Sequence, residues 1–263
     1  MKTITSRFFA ALLWCACTCF AGSIGPNSYG YFIASSSLPF VDITSTGTEV
    51  LQGTTDSTVS ANLGFSFSLM GESYGEAWIS TEGLMGFGTP DNSSFNISMS
   101  SSSLGPDIAP MWRDWQFMTA GTGGVYYETT GDPGSQEFIV EWSDAGSANA
   151  HEPGPVTFEA ILYQGSNDIQ FSYQSMATGN PSLSYARGNT VGVSGGGAGE
   201  YVEYSYDNLD PTSISSYSSL LVDPIVSTAT PEPASLLLLG SGMLAMAAAT
   251  RHKAASKKSK IIS

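Results

Sequence analysis

Apolar and polar residues alternate in short runs through the middle of this 263-residue chain. In 63–69, Leu and Phe residues alternate with Gly and Ser. A period of two is typical of a β-strand that buries one face. The same period recurs in 156–163 and 169–173, and the five residues between them, 164–168, favour turns. These segments predict a β-hairpin whose apolar face lies in a core.

Strand patterns recur at close spacing through the central region, which contains no amphipathic helix longer than two turns. The polar segments 44–60 and 91–103 predict loops, the first with room for an edge hairpin. This pattern predicts an all-β fold, a single β-sandwich around one hydrophobic core. The predicted strands are 29–34, 38–43, 63–69, 77–80, 84–87, 108–117, 123–129, 137–143, 156–163, 169–173, 190–193 and 201–206.

The beginning of the chain has the pattern of an export signal. Lys2 and Arg7 precede the apolar run 8–16, and small residues follow it. A charged region, an apolar region and a small-residue cleavage site form a signal peptide in this order. We therefore predict a signal helix over 1–21 and a body over 22–230. All three cysteines lie in the predicted signal helix, so the body has no disulfide and no thiolate metal site.

The end of the chain combines a short motif, an apolar run and a basic tail. After the tripeptide 231–233 come 16 uncharged residues, 234–249, and then the basic segment 251–260. At ~1.5 Å per residue, a helix of this length covers about 24 Å, which is short for a bilayer core of ~30 Å. The basic segment favours the cytoplasmic side of a membrane, so the body is expected outside. We predict a transmembrane helix at 234–250.

This three-part order closely resembles the PEP-CTERM sorting signal of Gram-negative bacteria, a tail that also carries the label of ice-binding protein C-terminal domain. The sorting motif would be Pro231, Glu232 and Pro233. The resemblance implies an exosortase-type membrane peptidase as a partner. It also implies anchoring in the inner membrane before processing and a location at the cell surface or outside the cell afterwards. Ice binding would need a regular, flat array of threonines, and the alternating threonines in 44–48 are not repeated on other strands.

The charge of the body restricts its partners. Residues 22–230 hold two strong bases, Arg113 and Arg187, and 22 of the 23 acids, which leaves a formal charge of −20. Such a body repels nucleic acids, anionic lipids and other acidic polymers. We therefore expect no nucleic-acid partner.

Few residues of the body suit catalysis. It has no cysteine and one histidine, His151, so nucleophilic catalysis with a histidine base and zinc binding are both disfavoured. Glu137 and Glu141 lie on one face of a predicted strand, roughly 13 Å apart, which exceeds the ~5–9.5 Å of a glycosidase pair. We expect both on a solvated outer face and predict no catalytic residues.

Two other kinds of site remain open. The sequence requires no cofactor. If the body binds an ion, calcium fits best, because it takes carboxylate and carbonyl oxygens and the body is acidic and has no Cys ligands. Candidate ligands are Asp207, Asp210 and Asp114, although no spacing matches a known calcium loop. A set of aromatic residues could stack on sugars or pack in the core, and alternation places one of them, Trp142, in the core. The set is Trp112, Trp115, Tyr126, Tyr127 and Trp142.

A second resemblance covers roughly residues 28–207. These residues look like the nidogen-type (NIDO-like) β-domain of bacterial secreted and surface proteins. That family implies a β-sandwich in matrix and surface contexts but no single reaction. The segments that carry the resemblance are 77–88, 108–114, 124–127, 138–142 and 158–163.

The sequence as a whole indicates an exported, non-enzymatic protein of the cell surface or extracellular matrix. We expect an adhesive or structural role among exopolysaccharides or in a biofilm, with an exopolysaccharide or a surface protein as partner. The alternative is a secreted polysaccharide-active hydrolase that uses a pair of carboxylates.

Overall fold

The structure is a computed structural model that describes residues 24–101, 103–117, 123–147, 155–176, 188–206 and 214–224. The predicted signal helix and transmembrane helix lie outside these residues. Within them, no helix is long and apolar enough to cross a membrane.

The described part of the chain consists of β-strands and connecting segments, as the sequence predicts. Its fourteen strands are β1 Tyr31–Ser36, β2 Thr48–Val50, β3 Thr58–Leu69, β4 Glu72–Ser80, β5 Met85–Gly86, β6 Pro106–Trp112, β7 Trp115–Gln116, β8 Gly124–Thr130, β9 Glu137–Ser147, β10 Val156–Tyr163, β11 Ile169–Ser175, β12 Thr190–Gly195, β13 Tyr201–Tyr206 and β14 Ser218–Pro224.

The strands form two antiparallel sheets. The first has the order β1-β14-β11-β10-β9-β8-β2, with β7 also paired to β9. The second has the order β13-β12-β6-β5-β4-β3. Buried apolar side chains from both sheets form one main core. The predicted β-sandwich is therefore confirmed.

Alternation along the strands decides which side chains enter this core. On β3, Leu63, Phe65, Phe67 and Leu69 are buried, whereas the residues between them face outward. The predicted β10–β11 hairpin is also confirmed, with apolar residues that face the core opposite one another across the ladder. These pairs are Phe158 with Tyr173, Ala160 with Phe171 and Leu162 with Ile169.

Two polar side chains join the sheets across the core. Trp142 donates its indole N–H to the carbonyl of Ser80 at 2.8 Å. Tyr173 donates its hydroxyl to the carbonyl of Pro110, also at 2.8 Å. Both bonds satisfy the one polar group of a large aromatic residue that is otherwise buried among apolar atoms.

Two predictions about strands are wrong. Residues 38–43 form no strand, because the backbone N–H groups of Val41 and Ile43 bond to glutamate side chains and not to a neighbouring strand. The sequence prediction also missed β14, which lies between β1 and β11. Its serines weaken the apolar signal, and the strand is stabilised by full pairing on both sides.

The core makes a direct stability prediction. Replacing the fully buried Phe171 by Ala should lower the free energy of unfolding by about 3–5 kcal/mol, because it removes apolar contacts and leaves a cavity. The matched control is Phe95→Ala, whose side chain is 83 % exposed and whose loss should change stability by about 0.5 kcal/mol or less. Urea unfolding of both variants measures the difference, and equal stabilities would contradict the assigned core.

Candidate functional site

Four carboxylates are buried in the described part of the chain. Glu82, Glu141, Glu159 and Asp107 are each exposed by 2 % or less. Burial is the main reason that the pKa of Glu82, Glu141 and Asp107 is raised to about 7 and that of Glu159 to about 8. The prediction that Glu141 lies on a solvated face is therefore wrong.

Glu141 and Glu159 bind a covering segment, residues 38–47, which we call the strap. They stand directly opposite each other on β9 and β10. Glu159 accepts the backbone N–H of Val41 at 3.1 and 3.2 Å from its two oxygens, and Glu141 accepts that of Ile43 at 2.8 Å. The strap lies over the outer face of the first sheet, and this explains why these two glutamates are buried.

Further contacts hold the strap in place. Gln170 donates its amide N–H to the carbonyl of Pro39 at 2.8 Å. Ile43 packs with Ile139 and Ile161 in a small apolar cluster on this face. The strap therefore has both polar and apolar contacts with the sheet below it.

This glutamate pair is the feature that sequence spacing missed. Opposite residues of an antiparallel ladder have Cα atoms about 4.5–5.5 Å apart, so their side chains are close enough for carboxylate-pair chemistry. Glu141 and Glu159 are far apart in sequence, so only the pairing register of β9 with β10 shows that they are neighbours. The strap covers the pair, however, and its N–H groups use the oxygens that a substrate would need.

Glu82 stabilises a junction of loops at one end of the sandwich. It accepts hydrogen bonds from the hydroxyl of Thr81 at 2.8 Å, the N–H of Asp56 at 3.2 Å and the N–H of Trp115 at 3.1 Å. The next residue, Gly83, has φ +72°, and a Cβ there would collide with the carbonyl of Met111. The turn thus needs glycine, and the glutamate is an acceptor for buried backbone groups.

The predicted calcium ligands divide between described and undescribed parts of the chain. Asp207 and Asp210, like the motif Pro231, Glu232 and Pro233, lie outside the described residues. Asp114 is half-buried, and its pKa is raised by burial and by Asp56, whereas Arg113 acts in the opposite direction. Among the described residues, no group of three or more His, Cys, Asp or Glu side chains could hold a metal ion.

The candidate sugar-stacking residues are mostly core residues. The three tryptophans of the set, Trp112, Trp115 and Trp142, are buried, which confirms the core position predicted for Trp142. Trp142 stacks on Phe158 with ring centroids 5.2 Å apart. Tyr126 and Tyr127 are half-buried on β8. None of these three tryptophans therefore exposes a ring face on which a sugar could stack.

Exposed tyrosines occur instead beside an open groove of about 420 Å³. We call this feature the terminal groove; residues 24–27, Gly199 and 201–203 line it. Tyr29 and Tyr201 are 46 % and 36 % exposed, and Tyr29 donates its hydroxyl to Glu200 at 2.8 Å. Hydrophobic patterning does not predict this groove, because the segment before β1 meets the β12–β13 turn only in the folded chain.

The fold and its surface define an acidic, all-β sandwich domain with an open groove. Comparison with protein families matches residues 30–230 to the family described as NIDO related. The chain belongs to the NIDO-related family, as the resemblance in its sequence implies. Residues 229–253 match the PEP-CTERM protein-sorting motif, which confirms the resemblance of the tail. No curated protein and no solved structure matches the chain.

The sorting motif determines the general class of function. It indicates an exported surface protein that an exosortase, a membrane enzyme, processes. The motif also indicates that the C-terminal tail is anchored in a membrane before processing.

The buried glutamates predict that stability depends on pH. Burial raises the pKa of Glu159 from 4.5 to about 8, with Glu141 and Glu137 adding to the effect. Between these two pH values the folded protein binds a proton more tightly than the unfolded chain does. The free energy of unfolding should therefore fall as pH rises, by about 1.4 kcal/mol per pH unit for each such group.

Urea unfolding at several pH values between 5 and 8 measures this slope. Glu159→Gln keeps a carbonyl acceptor for Val41 but cannot ionise, so its slope should be smaller than that of the wild type. Identical slopes would contradict the assignment to Glu159.

Proposed function

We propose that this exported protein is a non-enzymatic adhesive or structural component of an exopolysaccharide-rich surface or biofilm matrix. It binds a neutral polysaccharide in the terminal groove. The observation that carries this proposal is the groove itself, an open concave surface beside two exposed tyrosines. Its open shape suits a sugar polymer better than a compact apolar ligand, which needs an enclosed pocket.

The chemistry of the groove favours sugars. Tyr29 and Tyr201 offer ring faces for the apolar face of a pyranose, and their hydroxyls supply polar contacts. Glu200 is half-buried beside the groove, where its carboxylate can accept hydrogen bonds from sugar hydroxyls. Glu203 lines the groove, but its Oε2 already accepts hydrogen bonds from Ser98 and Met99. Tyr29 already bonds to Glu200, which positions both side chains before a ligand binds.

The charge of the body supports a neutral polymer. A formal charge of −20 between residues 22 and 230 repels uronate- or sulfate-rich polysaccharides. A neutral polymer meets no such repulsion. The same charge keeps copies of the protein apart in solution, which suits a protein that is dispersed in a matrix.

The contacts of the buried glutamates support a non-enzymatic role. Glu82, Glu141 and Glu159 accept hydrogen bonds from backbone N–H groups of covering segments. A hydrolase pair needs one carboxyl that protonates a leaving group and one that attacks or activates water, with space for the sugar between them. The Glu141–Glu159 pair has the strap in that space.

The location follows from the tail. We propose that the exosortase cuts near Pro231, Glu232 and Pro233 and that the body then remains at the cell surface or in the surrounding matrix. The three-part tail supports this order of events, since the basic end retains the anchor while the body is outside.

Substitution in the terminal groove tests polysaccharide binding. Tyr201→Ala, in the protein purified from the producing cells, should weaken binding to a neutral exopolysaccharide about 3- to 10-fold, because it removes one stacking face. The control is Tyr217→Ala. Tyr217 is 89 % exposed and lies next to the first residue of β14. Tyr31, which follows the groove segment 24–27 in the chain, pairs with Pro224 at the other end of that strand. Equal losses in both variants would contradict a site in the groove.

The same incubation tests for turnover. We expect no new reducing ends from the bound polymer. Their appearance with the wild type and their loss in Glu141→Gln or Glu159→Gln would overturn the non-enzymatic assignment and favour the hydrolase.

Intact-mass analysis after cell fractionation tests sorting. The wild-type protein should lose everything after the motif, whereas the variant with Pro231→Ala, Glu232→Ala and Pro233→Ala should remain full length in the membrane. A full-length membrane form in both strains would contradict exosortase processing.

A further inference from the structure

Residues 88–105 form a long segment without regular strands that covers part of the outer face of the second sheet. We call it the covering loop. On one side it is held by an apolar cluster in which loop residues Met99 and Leu104 pack with Ala109 and Trp112 of β6. Asp107 lies on the same face of β6, two residues before Ala109. The loop therefore buries one acid together with an apolar cluster.

The carboxylate of Asp107 is the unusual group on this face. Asp107 is 2 % exposed, and its Oδ2 atom has no hydrogen-bond partner. A buried carboxylate oxygen without a partner is costly, because it has lost its water and gained nothing in return. The backbone N–H of Gly105 hydrogen-bonds to the Asp107 carboxyl, so Oδ2 is its one unpartnered oxygen. Glu141 and Glu159 accept hydrogen bonds from the strap, and Glu82 accepts one from Trp115.

Other oxygen atoms surround the same place. A Cβ on Gly86 would lie 2.9 Å from the carbonyl oxygen of Thr89 and 3.0 Å from Oδ1 of Asp107. A Cβ on Gly105 would lie 3.6 Å from Oδ2 of Asp107 and 4.0 Å from Oγ1 of Thr89. The oxygens of Thr89 and Asp107 therefore lie near one another beside Gly86 and Gly105, and they leave no space for a Cβ on Gly86.

A second carboxylate completes the set. The N–H of Asp91 is 3.7 Å from the same Cβ position on Gly86, and the charge of Asp91 contributes to the raised pKa of Asp107. One oxygen of Asp91 accepts the N–H of Ser93 at 2.9 Å. Thr89 is exposed and Asp91 is half-buried, so the site has a route to solvent.

We propose that Asp107, Asp91 and Thr89 form a calcium-binding site that fastens the covering loop to β6. Calcium takes six to eight oxygen ligands in a flexible geometry, and carboxylate, carbonyl and hydroxyl oxygens with water all suit it. Two carboxylates balance its double positive charge. The ion gives the unpartnered oxygen of Asp107 a ligand, and it replaces the mutual repulsion of two acids by attraction.

This site differs from the predicted candidates Asp114, Asp207 and Asp210. Its two acids are 16 positions apart in sequence, and they meet because the covering loop returns to the strand that follows it. It shares no proposed ligand with the terminal groove, and different variants test the two proposals. The covering loop does contact the groove, since Glu203 accepts hydrogen bonds from Ser98 and Met99.

The test uses the purified exported protein, with calcium alone as the probe. At a calcium concentration about a hundredfold above Kd, the Tm should rise by about 5–10 °C relative to protein in EDTA. The expected Kd is about 0.1–1 mM, as in extracellular calcium modules. Magnesium at the same concentration should have a smaller effect, because it demands a tighter octahedral site and gives up water reluctantly.

Three sets of variants locate the ion. Asp107→Asn and Asp91→Asn should each abolish most of the calcium-induced rise in Tm. Gly86→Ala should reduce it, because the new Cβ would collide with the carbonyl oxygen of Thr89 and Oδ1 of Asp107 and displace them. Asp114→Asn and the double variant Asp207→Asn with Asp210→Asn are the controls and should keep the full rise.

Terbium luminescence supplies a direct readout. Trp112 donates its indole N–H to the carbonyl of Ser93 at 2.7 Å, and Ser93 bonds to Asp91, so an ion at this site has a tryptophan nearby. Terbium emission excited through tryptophan should be strong in the wild type, weak in Trp112→Phe and absent in Asp107→Asn. Added calcium should displace the terbium.

The alternative is a protonated Asp107 that needs no ion. In that case calcium would not change the Tm of the wild type, and this result would overturn the proposal. A rise that persists in Asp107→Asn, or that only the Asp207 and Asp210 control removes, would also overturn it. An equal rise with magnesium would overturn the assignment to calcium. If Asp107→Asn does not fold, Asp91→Asn on the covering loop decides the same question.

Discussion

A chain segment that is buried without regular structure must find acceptors for its backbone N–H groups. In this protein both sheets of the sandwich are partly covered on their outer faces by such segments, the strap on the first and the covering loop on the second. The strands of the two sheets already use their own backbone N–H and C=O groups in hydrogen bonds with neighbouring strands. The acceptors therefore come from side chains, and carboxylates serve best because each has two oxygens with several lone pairs. The burial of Glu141 and Glu159 under the strap follows from that requirement.

Period-two alternation was enough to predict the all-β class, the hairpin of β10 and β11, and the burial of Phe67, Phe171 and Trp142. It was not enough for the outer faces. Alternation assigns Glu141 to the side of the sheet opposite the core, which is correct, but it cannot tell whether another segment covers that side. Strand β14 was missed for a related reason: its stability comes from the two neighbouring strands rather than from its own pattern.

The functional sites depend even more on contacts between distant residues. Glu141 and Glu159 meet through ladder register, Tyr29 and Glu200 through the approach of the first described segment to a turn, and Asp91 and Asp107 through the return of a loop. Sequence motifs identify the sorting tail well because that signal is continuous along the chain. A groove or an ion site in a sandwich is assembled from several strands, so a single sequence gives little indication of it.

Strand β14 has a mechanical consequence for a protein that is held at its C-terminus. Tension that reaches Pro224, the last residue of this strand, is carried by its pairing in the sheet. Because β14 is paired with β1 along one side and with β11 along the other, a pull along its axis loads two rows of hydrogen bonds at once. An edge strand could peel away one bond at a time, whereas this strand must slide against both neighbours. The domain is thus attached to its tether by one of the strands least easily drawn out of the sheet.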